Sequence, residues 1–289
     1  MNWWKFFRTS NRQARILVGI LLAGFFCIQC TQSYAFRQSQ HVVAVSGQAI
    51  GSHSPEILDR LQRLARTDHI AVLEYCLANY QGQYRDYTCT FIKQERIGDL
   101  VGKEQVIDVK FLDEPFSVAM KWTPQTAPRG DRVLFVEGKY GNQMLIRPTG
   151  ILGGLIGTVK RPVDGPEVMK STLRPVNVFG FERTLENLLN VYRQAKANGD
   201  LKQVFGGFAE VDGRKTIVLI RTLPAKHDYP SHKTVTFIDL EYLVPLAVEG
   251  YDWRDQPTCS YIYKDIRFNV GLADEDFMPQ ANDMKPPGS

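Results

Sequence analysis

Apolar and polar positions alternate along this chain with two different periods. Near the N-terminal end of the patterned region, Ile57, Leu58, Leu61 and Leu64 recur at the spacing of one helix face. Ser54 and Pro55 precede them as a typical helix cap and first residue. A second helical stretch follows, and its apolar positions are Ile70, Leu73, Leu77 and Tyr80. The pattern predicts two helices, or one kinked helix, from Ser54 to about Tyr80.

From Tyr84 onward the period shortens to two, which is typical of half-buried strands. Strands are predicted around Tyr87 to Phe91 and Phe116 to Trp122. The others are predicted at 104–111, 132–138, 142–147, 203–210, 214–221, 233–239, 243–252 and 259–269. Short polar turns such as Asp212-Gly213 favour antiparallel pairing of neighbours. About ten strands in series predict one strongly curved sheet or open barrel.

Two segments interrupt the strands. The stretch from Pro148 to Gly180 contains an apolar, glycine-rich run, Ile151 to Gly157, and is interpreted as a mobile flap. After it, Phe181, Leu185, Leu188, Leu189 and Tyr192 recur at helical spacing, and Gly199 is placed to end that helix. The fold class is therefore α+β, an open curved antiparallel half-barrel with two amphipathic helices on its concave side.

The first 35 residues have the layout of an export signal. They contain Lys5, Arg8, Arg12 and Arg15, no acidic residue, and an apolar run from Ile16 to Ile28. Ser33-Tyr34-Ala35 has small residues at the positions that a signal-peptide cleavage site requires, so cleavage after Ala35 is expected. An uncleaved anchor and lipidation at Cys30 are weaker alternatives, since the apolar run is short for a membrane span and Gln29 precedes the cysteine.

This leader divides the chain and places the protein outside the cytoplasm. The predicted segments are a signal peptide at 1–35, a disordered spacer at 36–53, one half-barrel domain at 54–280 and a disordered tail at 281–289. The expected location is the periplasm or cell envelope, with membrane anchoring if the signal is not cleaved.

Charge argues against nucleic acid as a partner. The chain has 35 Lys and Arg against 31 Asp and Glu, and the four basic residues of the leader account for the whole excess. The mature domain therefore lacks the basic field from which nucleic-acid binding draws its affinity.

Candidate chemistry is sparse. The chain has no nucleophile elbow, phosphate-binding loop or His-Glu-x-x-His motif. His227 and His232 lack companions for a metal site and are interpreted as exposed turn histidines. Asp108, Asp239 and Asp265 fall on strands and are interpreted as solvated residues opposite basic ones rather than a glycosidase pair. No enzyme activity, metal or cofactor is predicted.

The mature chain keeps three cysteines, Cys76, Cys89 and Cys259. One disulfide with one free thiol is compatible with export. Three small buried side chains are the alternative.

The chain is rich in apolar strand residues, which is compatible with a dry pocket between sheet and helices. The candidate lining alternates along several strands. It consists of Phe116, Val118, Met120, Trp122, Val133, Phe135, Met144, Ile146, Val235 and Phe237.

Several segments resemble known families. The stretch from Tyr263 to Pro279 resembles the closing segment of periplasmic lipoprotein carriers of the LolA and LolB type. Five other segments of this chain resemble a family of exported bacterial proteins known as domain of unknown function 1571. These are Asp86 to Phe91, Gln94 to Arg96, Glu114 to Trp122, Val136 to Lys139 and Arg174 to Val176.

The carrier resemblance implies a half-barrel whose concave face accepts lipid or lipoprotein acyl chains beneath helices that act as a lid. A related carrier-like fold also occurs in a periplasmic sensor of envelope stress. That resemblance implies a regulatory role for the cavity instead. The competing hypothesis is an envelope structural or interaction protein with a solidly packed barrel and no ligand, whose flap from Ile151 to Gly157 contacts a membrane or a partner.

Overall fold

The N-terminal helices form a pair joined at Asp68. In the computed structural model, which describes residues 42–45, 53–127, 130–150 and 157–287, helix α1 spans Pro55–Thr67 and helix α2 spans His69–Gln83. The Asp68 carboxylate accepts hydrogen bonds from the amides of Ile70 and Ala71, which satisfies donors that a helix start leaves free. A cap between the two apolar stripes therefore gives two helices rather than one kinked helix.

Two further helices follow in the chain. The short helix α3 spans Pro166–Met169 and helix α4 spans Phe181–Ala197. Gly180 precedes α4 with a φ of +108°, and a Cβ atom there would lie 2.7 Å from Cζ of Phe111. Only glycine suits this close approach, which seats the start of α4 directly on the sheet.

Thirteen strands are formed by the described residues. They are β1 Val42–Val45, β2 Asp86–Ile97, β3 Leu100–Val101, β4 Gln105–Leu112, β5 Ser117–Trp122, β6 Gly130–Val136, β7 Met144–Pro148, β8 Val159–Arg161, β9 Lys202–Val211, β10 Arg214–Thr222, β11 Lys233–Asp239, β12 Pro245–Tyr251 and β13 Pro257–Phe268. The predicted ten strands are confirmed, and β1, β3 and β8 are additional.

All strand pairs are antiparallel, in one sheet of order β1-β9-β10-β11-β12-β13-β2-β4-β5-β6-β7-β8, with β3 paired to β2. The two end strands, β1 and β8, do not pair with each other, so the sheet is open. The predicted α+β half-barrel is confirmed, with more strands than the sequence indicates.

The helices cover only part of the concave face. Helix α1 contacts β9 and β10, and α4 contacts β12. Phe181 of α4 packs against Tyr87 of β2 and Tyr263 of β13 at ring distances of 4.9 and 4.5 Å. The start of α4 also reaches Phe111 of β4 and Phe116 beside β5. The concave surface of β4 to β8 beyond this point is left to the segment between β8 and α4.

The C-terminal segment packs on the opposite, convex face. Phe277 and Met284 are buried against a small cluster of strand residues, Ala119, Leu134, Val136 and Leu145. Residues 281–287 of the predicted tail follow Phe277 along this face, with Met284 4% exposed. Two buried apolar side chains and the ion pair of Asp283 with Arg132 hold the tail in place.

Within the predicted spacer at 36–53, the structure places strand β1 at Val42–Val45, which pairs with β9. The predicted signal peptide at 1–35 and most of the spacer lie outside the described residues, as does the flap core at 151–156. The described remainder of the predicted flap contains β8, α3 and a 3-10 turn at Val176–Val178. In the described part of the chain, no helix combines the length and apolarity needed to cross a membrane.

Candidate functional site

A cavity of about 700 Å³ lies on the concave face beside the helices. Strand residues, including Val159 of the edge strand β8, form its floor, and the segment from Glu167 to Phe179 forms its roof. Its apolar wall comprises Phe91, Ile107, Met120, Trp122, Val133, Met144, Ile146, Val159, Val168, Val176, Val178, Phe179 and Val248. This volume lies within the range of about 300–1,000 Å³ that small-molecule pockets occupy.

Five of the ten side chains proposed as lining residues line this cavity. Strand register brings them together, because Met120 lies opposite Val133 and Val133 lies opposite Ile146. Trp122 lies opposite Ile107 on the neighbouring strand. Met144 completes the set.

Phe116, Val118 and Phe135 do not line the cavity. They share the face of Met120 but lie farther along the strands, inside the packed core. The Phe116 ring lies 5.4 Å from that of Phe111, and the Arg183 guanidinium of α4 covers it at 3.6 Å. The helix ends the cavity at this point, and this is a boundary that strand alternation does not reveal.

Val235 and Phe237 lie on the other face of the sheet. Thr236 between them pairs with Val248, which lines the cavity. Successive side chains of a strand point to opposite faces, so Val235 and Phe237 point away from the cavity. Both therefore lie outside the lining of the cavity.

The apolar roof is missing from the predicted lining. Val168, Val176 and Phe179 come from the segment interpreted as a flap. The Phe179 ring packs 5.2 Å from that of Phe91 and 5.8 Å from that of Tyr263, which anchors the roof to the floor. The valines of this segment are scattered between prolines and show neither a helical nor a strand period. Their apolar character is therefore the only sequence feature that could have indicated a place in the lining.

A polar cluster interrupts the apolar wall at Glu95, which is 5% exposed. Its carboxylate accepts hydrogen bonds from the Tyr261 hydroxyl at 2.6 Å and from Lys93 Nζ at 3.1 Å. Lys93 Nζ also donates to the Thr172 hydroxyl at 3.1 Å. Burial first, and then the neighbouring Cys259 and Glu95, raise the Tyr261 pKa well above its usual value. Tyr261 therefore remains a hydrogen-bond donor, and the cluster ties the roof to the floor.

A second polar contact orients the indole of Trp122. Its Nε1 donates to the Gln105 side-chain oxygen at 2.7 Å. The indole ring is thereby fixed in the wall with its polar edge satisfied. The cavity offers a rigid apolar surface rather than a set of reactive groups.

Residues considered for chemistry do not converge in the described part of the chain. No group of three or more metal-ligating side chains occurs there. His227 is exposed and lies 3.5 Å from the buried Asp200, and His232 contacts the Leu223 carbonyl. Asp239 is 1% exposed and pairs with Arg214 at 2.7 Å, so its predicted basic partner is present but its predicted solvation is wrong.

The three described cysteines are free and buried. Burial raises the pKa of Cys76 to about 12 and also raises the pKa values of Cys89 and Cys259. Thiols with raised pKa values are poor nucleophiles near neutral pH. The alternative of three small buried side chains is the one that the structure shows.

Solved structures similar to this chain have low sequence identity to it. A DUF1329 family protein from Desulfovibrio piger is 13% identical, with a TM-score of 0.37, and the match covers 73% of this chain and 97% of that one. A chain of the Pseudomonas aeruginosa MucA/MucB complex is 14% identical, with a TM-score of 0.44. That match covers 76% of this chain and 67% of the other. A LolA superfamily protein from Nitrosomonas europaea is 10% identical, with a TM-score of 0.31, and the match covers 73% of this chain and 97% of that one.

No curated protein matches the chain in sequence. A family model does match it, over residues 84–285, which is more than half of the chain. That range runs from the first long strand to the C-terminal segment on the convex face. The chain therefore belongs to the family described as protein of unknown function DUF1571.

Proposed function

We propose that this protein binds the apolar chain of a lipid, or the acyl chains of a lipoprotein, in the concave cavity. It acts there as a non-enzymatic carrier or sensor in the cell envelope. The observation that carries the proposal is the cavity of about 700 Å³ that the described side chains leave between the sheet and the roof. Each buried CH₂ group of a ligand chain contributes about 0.8 kcal/mol.

The wall chemistry supports an apolar chain over a polar substrate. Met120, Val133 and Ile146 form a continuous apolar row across three strands. Methionine adapts its shape to flexible ligands. A packed interaction protein, the competing hypothesis, has no use for an unfilled apolar volume in its core.

The proposed location follows from the leader. We expect the segment at 1–35 to direct export and to be removed after Ala35. N-terminal sequencing of protein isolated from the cell envelope tests this, and a mature chain that retains Lys5 contradicts cleavage.

The binding proposal is tested with protein purified from the envelope under gentle conditions. Native mass spectrometry compares its mass before and after denaturation, and organic extraction identifies what is released. A stoichiometric lipid is the expected result. A mass equal to that of the chain alone, with no uptake of a fluorescent acyl probe, favours the packed interaction protein.

A matched pair of variants locates the binding site. Val133→Trp places an indole inside the cavity, whereas Val235→Trp places the same side chain on the convex face. We expect the first to abolish probe uptake and the second to retain it, with both proteins showing wild-type circular dichroism. Equal uptake by both variants places the ligand elsewhere.

A further inference from the structure

Charged side chains are unevenly balanced around the cavity. Four basic residues line it, against the acidic Glu95 and Glu167. Lys93 pairs with Glu95 at 3.1 Å, and Lys170 pairs with Glu167 at 2.7 Å. Both carboxylates are thus taken, and Arg161 and Arg174 remain.

Neither of these arginines has a carboxylate partner among the described residues. Arg161 Nη1 donates to the Lys160 carbonyl at 2.8 Å. The Arg174 guanidinium lies over the Tyr261 ring at 5.0 Å, beside the polar cluster. Both residues are exposed and border the cavity. Each therefore presents unused N–H donors at the rim.

A third guanidinium adds positive charge to the same layer of the fold. Arg221 is 2% exposed, yet in the described part of the chain it has no acidic partner. Its Nη2 donates to the Thr234 hydroxyl at 2.8 Å, while Nε and Nη1 have no hydrogen-bond partner. Burial, and to a lesser degree the charge of Arg174, lowers the Arg221 pKa, although contact with Tyr192 opposes this.

We infer that the ligand of this cavity is an amphiphile with an anionic head, a carboxylate or a phosphate, which one of the two rim arginines, Arg161 or Arg174, binds while its apolar chain lies against Met120 and Ile146. This inference rests on the proposed function and specifies its ligand class. A guanidinium binds either oxyanion in a bidentate manner. The anion offsets the excess positive charge, and a neutral lipid does not.

The test uses three ligands that share one chain, namely hexadecanoate, hexadecyl phosphate and hexadecanol. Their affinities are measured by displacement of a fluorescent acyl probe from the delipidated mature protein. The variant is R161Q/R174Q, and the matched control is R63Q, which removes an exposed arginine of helix α1 far from the lining. Each charge-assisted hydrogen bond is worth roughly tenfold in affinity.

We expect the anionic ligands to bind at least about tenfold more tightly than hexadecanol to the wild type and to R63Q. The double variant should lose that advantage and keep its hexadecanol affinity. A preference for hexadecanoate over hexadecyl phosphate, or the reverse, distinguishes a fatty acid from a phospholipid as the source of the head.

Two results overturn the inference in different ways. Equal binding of all three ligands by the wild type, unchanged in the double variant, refutes the anionic head and leaves the apolar cavity intact as a binding site. Binding of none of the three refutes the proposed function together with the inference.

Discussion

Asp113 is a half-buried carboxyl group whose proton matters for folding. The Tyr80 hydroxyl donates to its Oδ1 at 3.2 Å, where helix α2 meets the turn between β4 and β5. Burial, followed by the nearby Glu182, raises the Asp113 pKa to about 7, although the hydrogen bond from Tyr80 opposes this. In the unfolded chain an aspartate has a pKa of about 3.9. The folded state therefore retains this proton over a range of pH in which the unfolded state has lost it.

The stability that Asp113 contributes is complete below about pH 4 and is lost as the pH rises to about 7. We predict that Asp113→Asn raises the free energy of unfolding at pH 8 by about 2 kcal/mol, less than the full shift implies because the side chain is partly exposed. The variant should match the wild type at pH 4. Urea unfolding at both pH values measures this, with the exposed Asp59→Asn as control, and an equal change at both values contradicts it.

His69 has the opposite dependence on pH. Burial lowers its pKa to about 4, and its ring contacts the Ala65 carbonyl at 2.8 Å. Its contribution to stability is present above about pH 6.5 and is lost as the pH falls to about 4. Both wild type and Asp113→Asn retain His69, so this loss cancels when the two are compared.

At the scale of elements, the C-terminal segment covers apolar surface that the sheet leaves open on its convex face. The Phe277 side chain is 2% exposed and contacts Leu134 and Leu145. Lys139 and Arg132 form ion pairs with Asp274 and Asp283, on either side of it. The segment is thus part of the domain rather than an appendage.

We predict that Phe277→Ala lowers the free energy of unfolding by about 3 kcal/mol, because it removes a buried aromatic side chain and leaves a cavity. The neighbouring Met278 is 48% exposed, so Met278→Ala should change it by less than about 0.5 kcal/mol. Chemical denaturation of both variants gives the comparison. A similar small effect for both would show that the segment is not held to the sheet.

The same segment shows where sequence reasoning stops. The pattern from Tyr87 onward predicts the long strands, because each has enough residues to show either an alternation, as in β4, or a continuous apolar run, as in β10. Strand β8 has three residues and β3 has two, too few for a period. The packing of residues 281–287 is not predictable from the sequence, since Met284 is a single apolar residue among polar ones and its burial depends on a surface formed by distant strands.

The site is predictable only as far as local alternation determines it. Met120 and Trp122 share a face by their spacing, and both line the cavity. The face of Val235 depends instead on a register carried through β12 and β13, which spacing within one strand does not fix. The position of helix α4, which encloses Phe116 in the core, is likewise a property of the assembled molecule.

For the whole molecule, the concave face divides into a packed half and a hollow half. Helices α1 and α4 fill the first, over β9, β10 and β12. The second, over β4 to β8, is covered by a roof with a short helix and a single 3-10 turn. A roof with so little secondary structure has few internal hydrogen bonds, so its opening is local and requires less free energy than global unfolding.

This division predicts where a bound ligand slows hydrogen exchange. With hexadecanoate at a hundred times its dissociation constant, the protein gains about 2.7 kcal/mol against unfolding. Amides that exchange by local opening should slow first, and these lie in β8 and residues 166–179 of the roof. Amides in β10 and β11, which face the helices, should change only as far as global stability does.

Mass-resolved exchange of the wild type and Val133→Trp measures the difference, because the filled cavity of the variant should show no slowing on ligand addition. Equal slowing in roof and helix-covered strands would mean that the ligand does not bind beneath the roof.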